Sequence, residues 1–374
     1  MSSNLSQLLK EPGTSIEAED DFDAVNELVR GRGWGDGLPV LPPTAARVEQ
    51  MLQYCDRPWD EPIALIAPRY GAATPLRLSA NAVMAGCRPE YFPLLMLAVE
   101  AMCEEPFNCY GIQATTHQCG VLVLVNGPVA KELDINAGHN AFGPGRQANA
   151  TIGRALRFAQ VNIGGAIPGL GDMSTFGSPA KYTYCAAENE DESPWEPLHV
   201  ERGYPREAST VTVFAAEGPH NVNDHESLTG EGILKMVVGT VAITGANNIW
   251  FDGEILVIFG PEHAATVAKG GFTKNDVKKY IFEHARLPLS AFSQENIERR
   301  LRQWPVFEGR FAEAGMDALV PVAKHPEEVL IAVVGGAGKH SAYIPTFGAS
   351  RAITRPLKLS DGQLARSVED FGRR

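Results

Sequence analysis

The 374-residue chain holds 33 Lys and Arg against 45 Asp and Glu, a formal charge of −12. An acidic chain gains no counterion release on a polyphosphate and is repelled by anionic lipid, so neither nucleic-acid nor membrane binding is expected. With 44% hydrophobic and 21% charged residues the composition is that of a globular protein, and no apolar run reaches the roughly 20 residues that span a bilayer.

Residues 1–36 read as a polar, poorly ordered lead-in and a first helix. The opening "MSSNLSQLLKEPGTSIEAEDDFD" lacks the basic start and apolar stretch of a secretory signal, so a cytosolic location is expected. "DGLPVLPPT" (37–45) must run extended, because each Pro fixes its own φ and restricts the residue before it. "AARVEQMLQYC" then has the spacing of an amphipathic helix.

Beyond it, apolar β-branched runs end in Gly-containing turns. They are "GVLVLVNGP" (120–128), "STVTVFAAEGPHN" (209–221), "GEILVIFGPEH" (253–263) and "EEVLIAVVGGAGKH" (328–340). Helix-like runs precede the first three. The pattern predicts an α/β fold with several strands buried on both faces and alternating with helices. One large domain over 37–345 follows, in which 60–130, 140–225 and 226–345 are either three loosely related units or plain alternation. Residues 273–307 read as two helices broken near "RLPLS", with Thr273 as an N-cap. Residues 346–374 read as a C-terminal tail ending in a short surface helix, a candidate contact in a homo-oligomer.

The strand ends carry the candidate chemistry. "GPHNVNDHES" (218–227) places His220, Asn221, Asn223, Asp224 and His225 after one strand, while His263 and His340 follow two others. If these strands are parallel, their carboxyl ends share a rim, where open α/β sheets bind ligands. His220, Asp224, His225 and His263 are suitable ligands for a divalent transition metal, zinc or iron, that activates a water. The alternative is that these imidazoles hydrogen-bond backbone in tight loops.

Six cysteines, Cys55, Cys87, Cys103, Cys109, Cys119 and Cys185, form no Cys-x-x-Cys pair. Cys87 in "NAVMAGCRPEY" lies beside Arg88 and just before a helix start, where the dipole favours thiolate. Cys119 in "TTHQCG" has His117 two residues away, a nucleophile–base candidate. Inert core cysteines are the competing reading for both. The Gly-Pro-Gly turn of "NAFGPGRQANATIGRALR" leads into a helix with Arg146, Asn149 and Arg154 in its first turns, a candidate carboxylate or phosphate site or a simple cap. Asn221, Asn223 and His340 are further substrate-binding candidates. In the acidic stretch 184–203, Glu188 is the candidate general acid/base if buried.

No nucleotide cofactor is expected. "VVGGAGKHS" has Val333 where a phosphate-binding loop needs Gly and His340 where it needs a hydroxyl, and no dinucleotide fingerprint or Gly-x-Ser-x-Gly elbow occurs.

At "DGLPVLPPT", "NAVMAGCRPEY", "ANATIGRALR", "SPWEPLHVERG" and "GPHNVNDH" the chain resembles an uncharacterised bacterial family associated with small UGSC-type selenoproteins and thiol proteins. The resemblance spans most of the chain, implies a small thiol or selenoprotein partner, and carries no assigned reaction or site residues. The preferred expectation is an enzyme, a metal-dependent hydrolase or lyase acting on a small polar, anionic molecule. A thiol-dependent oxidoreductase component centred on Cys87 and a non-catalytic binding or scaffold subunit are the alternatives.

Overall fold

The computed structural model describes residues 15–251 and 253–372; the part of the lead-in before residue 15 lies outside them. Helix α1 (Phe22–Arg32) is capped by the Asp21 side chain and stops at Gly33 in the left-handed region. The Pro-rich segment then leads to α2 (Ala45–Leu52), whose Val48, Met51 and Leu52 are buried. A short hairpin, β1 (Ala64–Ile66) and β2 (Gly71–Ala73), precedes α3 (Pro75–Ala85). Thr74 caps α3, Pro75 fills its first turn and Gly86 ends it. The almost wholly buried α4 (Phe92–Met102) follows.

The strands then alternate with helices as the sequence predicts: β3 (Gly120–Asn126), α5 (Gln147–Phe158), β4 (Cys185–Ala187), β5 (Thr210–Ala216), β6 (His220–Asn223), α6 (Gly230–Val241), β7 (Ile255–Phe259), α7 (Pro261–Lys269) and α8 (Lys274–His284). Thr273 caps α8 in a reciprocal capping box with Asp276. The break expected at "RLPLS" is there, formed by β8 (Arg286–Pro288), and the second helical run follows as an α turn, Gln294–Asn296, continued by a π turn, Ile297–Leu301; β9 (Leu319–Pro321) then pairs with β8. The chain ends with β10 (Val329–Val333), β11 (His340–Ile344) and β12 (Ile353–Pro356).

Eight of these strands build two four-stranded sheets, ordered β12-β5-β3-β4 and β10-β7-β11-β6. Both are mixed. β3 pairs with β4 in parallel and β7 with β10 in parallel, whereas β5 and β11 run against their neighbours. The sheets pack face to face. Leu122 and Leu124 of β3 and Phe214 of β5 meet Leu256 and Ile258 of β7 and Leu330 and Ala332 of β10. The outer faces are covered by helices: Val121, Val123 and Val125 pack with residues of α3, α4 and α5, and Ile255, Val257 and Phe259 with residues of α6, α7 and α8. This helix–sheet–sheet–helix stack is why the strand runs are apolar on both faces: both are buried, and the few polar side chains in them, such as Asn126 and Thr212, are hydrogen-bonded.

The sheets cut across the sequence intervals. β3, β4 and β5 come from 60–130 and 140–225 yet share one sheet, and β6 of 140–225 joins the other. The 346–374 segment is not a separate tail. It supplies edge strand β12, and its Leu357, Ala365, Val368 and Phe371 are buried in the first sheet's outer core. Among the described residues no helix is long and apolar enough to cross a membrane.

Candidate active site

The carboxyl ends of β3, β4, β7 and β10 lie on one rim. Backbone bonds tie the two sheets together there: Asn189 N donates to Val333 O at 2.7 Å and Gly335 N to Ala137 O at 2.8 Å. Beside this junction opens a cleft of about 300 Å³, walled by Pro128, Ala130, Ile135 and Ala187, with Glu188 and Glu190 among its polar groups. Gly127 forms its floor turn at φ +83°; a Cβ there would meet Ala208 O at 2.3 Å, so no larger residue fits.

Glu188 follows β4 directly and is 4% exposed. Its Oε2 accepts from Asn126 Nδ2 at 2.6 Å and from Leu198 N at 2.8 Å, and its Oε1 from Val333 N at 3.4 Å. Burial lifts its carboxyl above the usual carboxylate range, with Glu190 adding to the rise; the Lys274 charge and the hydrogen bonds only partly offset this. The same Asn126 Nδ2 also donates to Glu190 Oε1 at 3.0 Å, and Gly127 N donates to that oxygen at 2.7 Å. One amide nitrogen thus bridges two carboxyl groups. Two neighbouring polar atoms are buried without a partner, Asn126 Oδ1 and Nδ1 of His199. The His199 ring is fully buried, with Nδ1 3.9 Å from Glu190 Oε1. At the mouth, Lys131 pairs with Asp191 at 2.7 Å, and the exposed Arg206 has no ion pair among the described residues.

The histidines of the opening stretch divide. β5 is antiparallel to β3, so it leaves the sheet at the opposite rim, and 218–225 is not a loop. Its middle is β6, an edge strand that runs back to the rim of the cleft. His220 pairs in register with Tyr343 and shares the face of buried Val222, whereas Asn223, opposite His340, shares the other face with Asn221. His220 therefore does not converge with His340. His225 does: the two Nε2 atoms are 3.2 Å apart, and His340 Nδ1 is 2.9 Å from Asn221 Oδ1. His263 is 1% exposed with both ring nitrogens engaged, Nδ1 to Ser341 Oγ at 2.8 Å and Nε2 to Asp224 O at 3.0 Å. Asp224 Oδ1 accepts from the Glu226 and Ser227 N–H groups, closing the turn after β6. The expected set His220, Asp224, His225 and His263 is thus not assembled, and no group of three or more His, Cys, Asp and Glu stands ready for a metal among the described residues.

For the thiols the surroundings favour the inert reading over the reactive one. Cys87 contacts Thr151 O at 3.3 Å. Burial pushes its thiol up to about 12, outweighing the pull of Thr151 and of the Arg154 charge. Cys119 is 1% exposed, and burial likewise pushes it up to about 12. His117 is not its base: His117 Nε2 is 2.6 Å from Glu217 Oε1. Burial works to raise the Glu217 carboxyl, but the hydrogen bond from His117 wins and holds it below its usual range.

The expected anion site on α5 is occupied by the protein itself. Arg154 is bidentate to Asp36, at 2.7 and 2.8 Å, and also reaches Pro39 O at 3.0 Å, fastening the Pro-rich segment. Asn149 is buried, with Nδ2 donating to Asn136 O, Ala141 O and Cys185 O. Arg146 lies exposed against Asp134 at 3.2 Å.

Among the site residues, Asn126, Glu190, His199 and Arg206 escape a reading by motif. The one sequence signal is that "VNGP" and "AAENE" each place polar residues directly after an apolar strand. No family model, curated protein or solved structure matches the chain.

Proposed function

We propose that the chain is an enzyme of the hydrolase or lyase class that transfers a proton on a small polar molecule bound in the 300 Å³ cleft. The observation that carries this is Glu188: a buried carboxyl with a raised pKa, lining the cleft and without an ion pair among the described residues. A carboxyl raised above the usual carboxylate range keeps its proton to a higher pH than an ordinary one, the direction a general acid needs. Glu190, held by Asn126 and Gly127, is the second acid/base group, and Arg206 supplies the counter-charge for an anionic group on the ligand. A thiol-centred mechanism loses support because Cys119 is buried and the half-buried Cys87, like Cys119, has its thiol pushed up to about 12.

A panel of small carboxylates and phosphates, read by thermal shift and then by turnover, tests this. A ligand that binds wild type is expected to bind Arg206→Ala roughly tenfold more weakly, the loss of one charge-assisted hydrogen bond. Glu188→Gln is expected to keep binding and lose at least about 100-fold in turnover. Full turnover by Glu188→Gln, or no ligand from the panel, overturns the reading.

A further inference from the structure

His225 and His340 stand on the same rim as the cleft but on the far side of the second sheet, on the β11–β6 pair. Both are exposed. Their Nε2 atoms face one another at 3.2 Å, with the rings nearly perpendicular at 81°. Three supports fix this arrangement. Asn221 Oδ1 lies 2.9 Å from His340 Nδ1, which places the proton there and leaves Nε2 as a lone pair. Lys339 Nζ donates to His225 O at 2.8 Å. Buried His263 binds Asp224 O and Ser341 Oγ, the residues next to His225 and His340, and so locks the two segments in register.

From this geometry we propose that His225 and His340 together bind one divalent transition-metal ion of the copper–zinc class, water completing its coordination. Two nitrogens 3.2 Å apart, each about 2.0–2.1 Å from a zinc ion, subtend an angle of about 100–105°, near the tetrahedral value. Two neutral imidazoles suit copper and zinc, and the exposed edge leaves the remaining positions to solvent. Asn221 plays the part that outer hydrogen-bond partners play at such sites, orienting the ligand ring and fixing its tautomer. Without metal the pair is a long N–H···N hydrogen bond from His225 Nε2. Binding moves that proton to His225 Nδ1, so the neutral pair gives up no proton. The site does not depend on the acid–base role of Glu188.

Titration of the full chain with Cu²⁺ or Zn²⁺ alone, by calorimetry and by copper electron paramagnetic resonance, tests the site. Wild type is expected to bind one equivalent with nitrogen hyperfine structure from two imidazoles. His225→Ala and His340→Ala should each weaken binding at least tenfold, and the double variant should lose that equivalent. Asn221→Leu should lower affinity roughly 10–100-fold without removing a ligand. His220→Ala, on the opposite face of β6, should bind as wild type does. No binding by wild type, or the same equivalent retained by the His225→Ala/His340→Ala variant, overturns the proposal. All these side chains are exposed, and thermal melts establish that each variant is folded.

Discussion

Two buried carboxyl groups answer to opposite rules. Asp172 is 5% exposed and Glu188 4%. Asp172 is gripped by Arg157 at 2.8 Å and by Lys181 at 2.7 Å, around a void of only about 10 Å³. Burial works to raise its carboxyl, but the Lys181 hydrogen bond and the two charges win and hold it low. Glu188 has N–H donors, no cation at bonding distance, and a cleft thirty times larger beside it, and its carboxyl is raised. Equal burial therefore decides nothing about function. What separates a structural carboxylate from a candidate acid is whether a charge at contact distance compensates the lost hydration.

The sharpest way to break this comparison is to neutralise each group. Asp172→Asn leaves Arg157 and Lys181 partly buried without their counter-charge and should cost about 3–5 kcal/mol, because breaking a buried pair strands the remaining charges. Glu188→Gln removes no ion pair and should cost less than about 1.5 kcal/mol, the scale of a net hydrogen bond. Urea unfolding reads both. Equal losses would mean that Glu188 is as structural as Asp172.

A second test follows the pH. Asp172 is depressed in the folded state, so its contribution is present above the unfolded value near 4 and is lost as pH falls through the lower folded value. Glu188 is raised, so it has the opposite sign: the fold is favoured below the unfolded value near 4.5 and loses stability as pH rises through the higher folded value. Wild type should therefore lose stability relative to Glu188→Gln on going from acid to neutral pH, by the order of 1 kcal/mol for each pH unit crossed between the two values. Relative to Asp172→Asn it should gain stability as pH rises from about 2 to 5. A flat wild-type-minus-Glu188→Gln difference would show that the carboxyl is not perturbed.

The α/β class was legible because "GVLVLVN", "TVTVFAA", "ILVIF" and "VLIAV" carry apolar residues on both faces, with only Asn126, Thr210 and Thr212 polar, which demands cover on both faces. The source of that cover was not legible. One face meets helices and the other meets the second sheet, and an apolar run reads the same against either. Strand direction was hidden too. Once β5 runs antiparallel, its trailing histidines need a further strand to return to the rim, and the two-residue period of "HNVN" then turns His220 away while the chain carries His225 onward to His340. Glu188 was legible as a candidate acid in the acidic stretch 184–203, but the short strand before it was not. Its partner Asn126 lies 62 residues earlier, a juxtaposition set by the parallel pairing of β3 with β4 rather than by any local motif.

The smallest effect extends the comparison to a thiol. Cys87 sits next to Arg88 in sequence, and that neighbour suggested a thiolate. Arg88 instead pairs with Glu90 at 2.9 Å, and the nearest cation to act on the thiol, Arg154, is committed to Asp36. Cys87 is half-buried, and lost hydration outweighs the Arg154 charge and pushes its thiol up to about 12, as at Glu188 it outweighs the Lys274 charge and raises the carboxyl. At pH 7.5 its alkylation under native conditions should be slower than that of a free cysteine peptide, since the thiolate fraction sets the rate. Cys87→Ser should shift stability by roughly 1 kcal/mol or less, a change of one buried atom. Mass-spectrometric mapping of iodoacetamide labelling over time reads the first and urea unfolding the second. Rapid labelling at Cys87 ahead of the other cysteines would mean that an N-terminal helix field acts on the sulfur after all, and would restore the thiol as a candidate nucleophile.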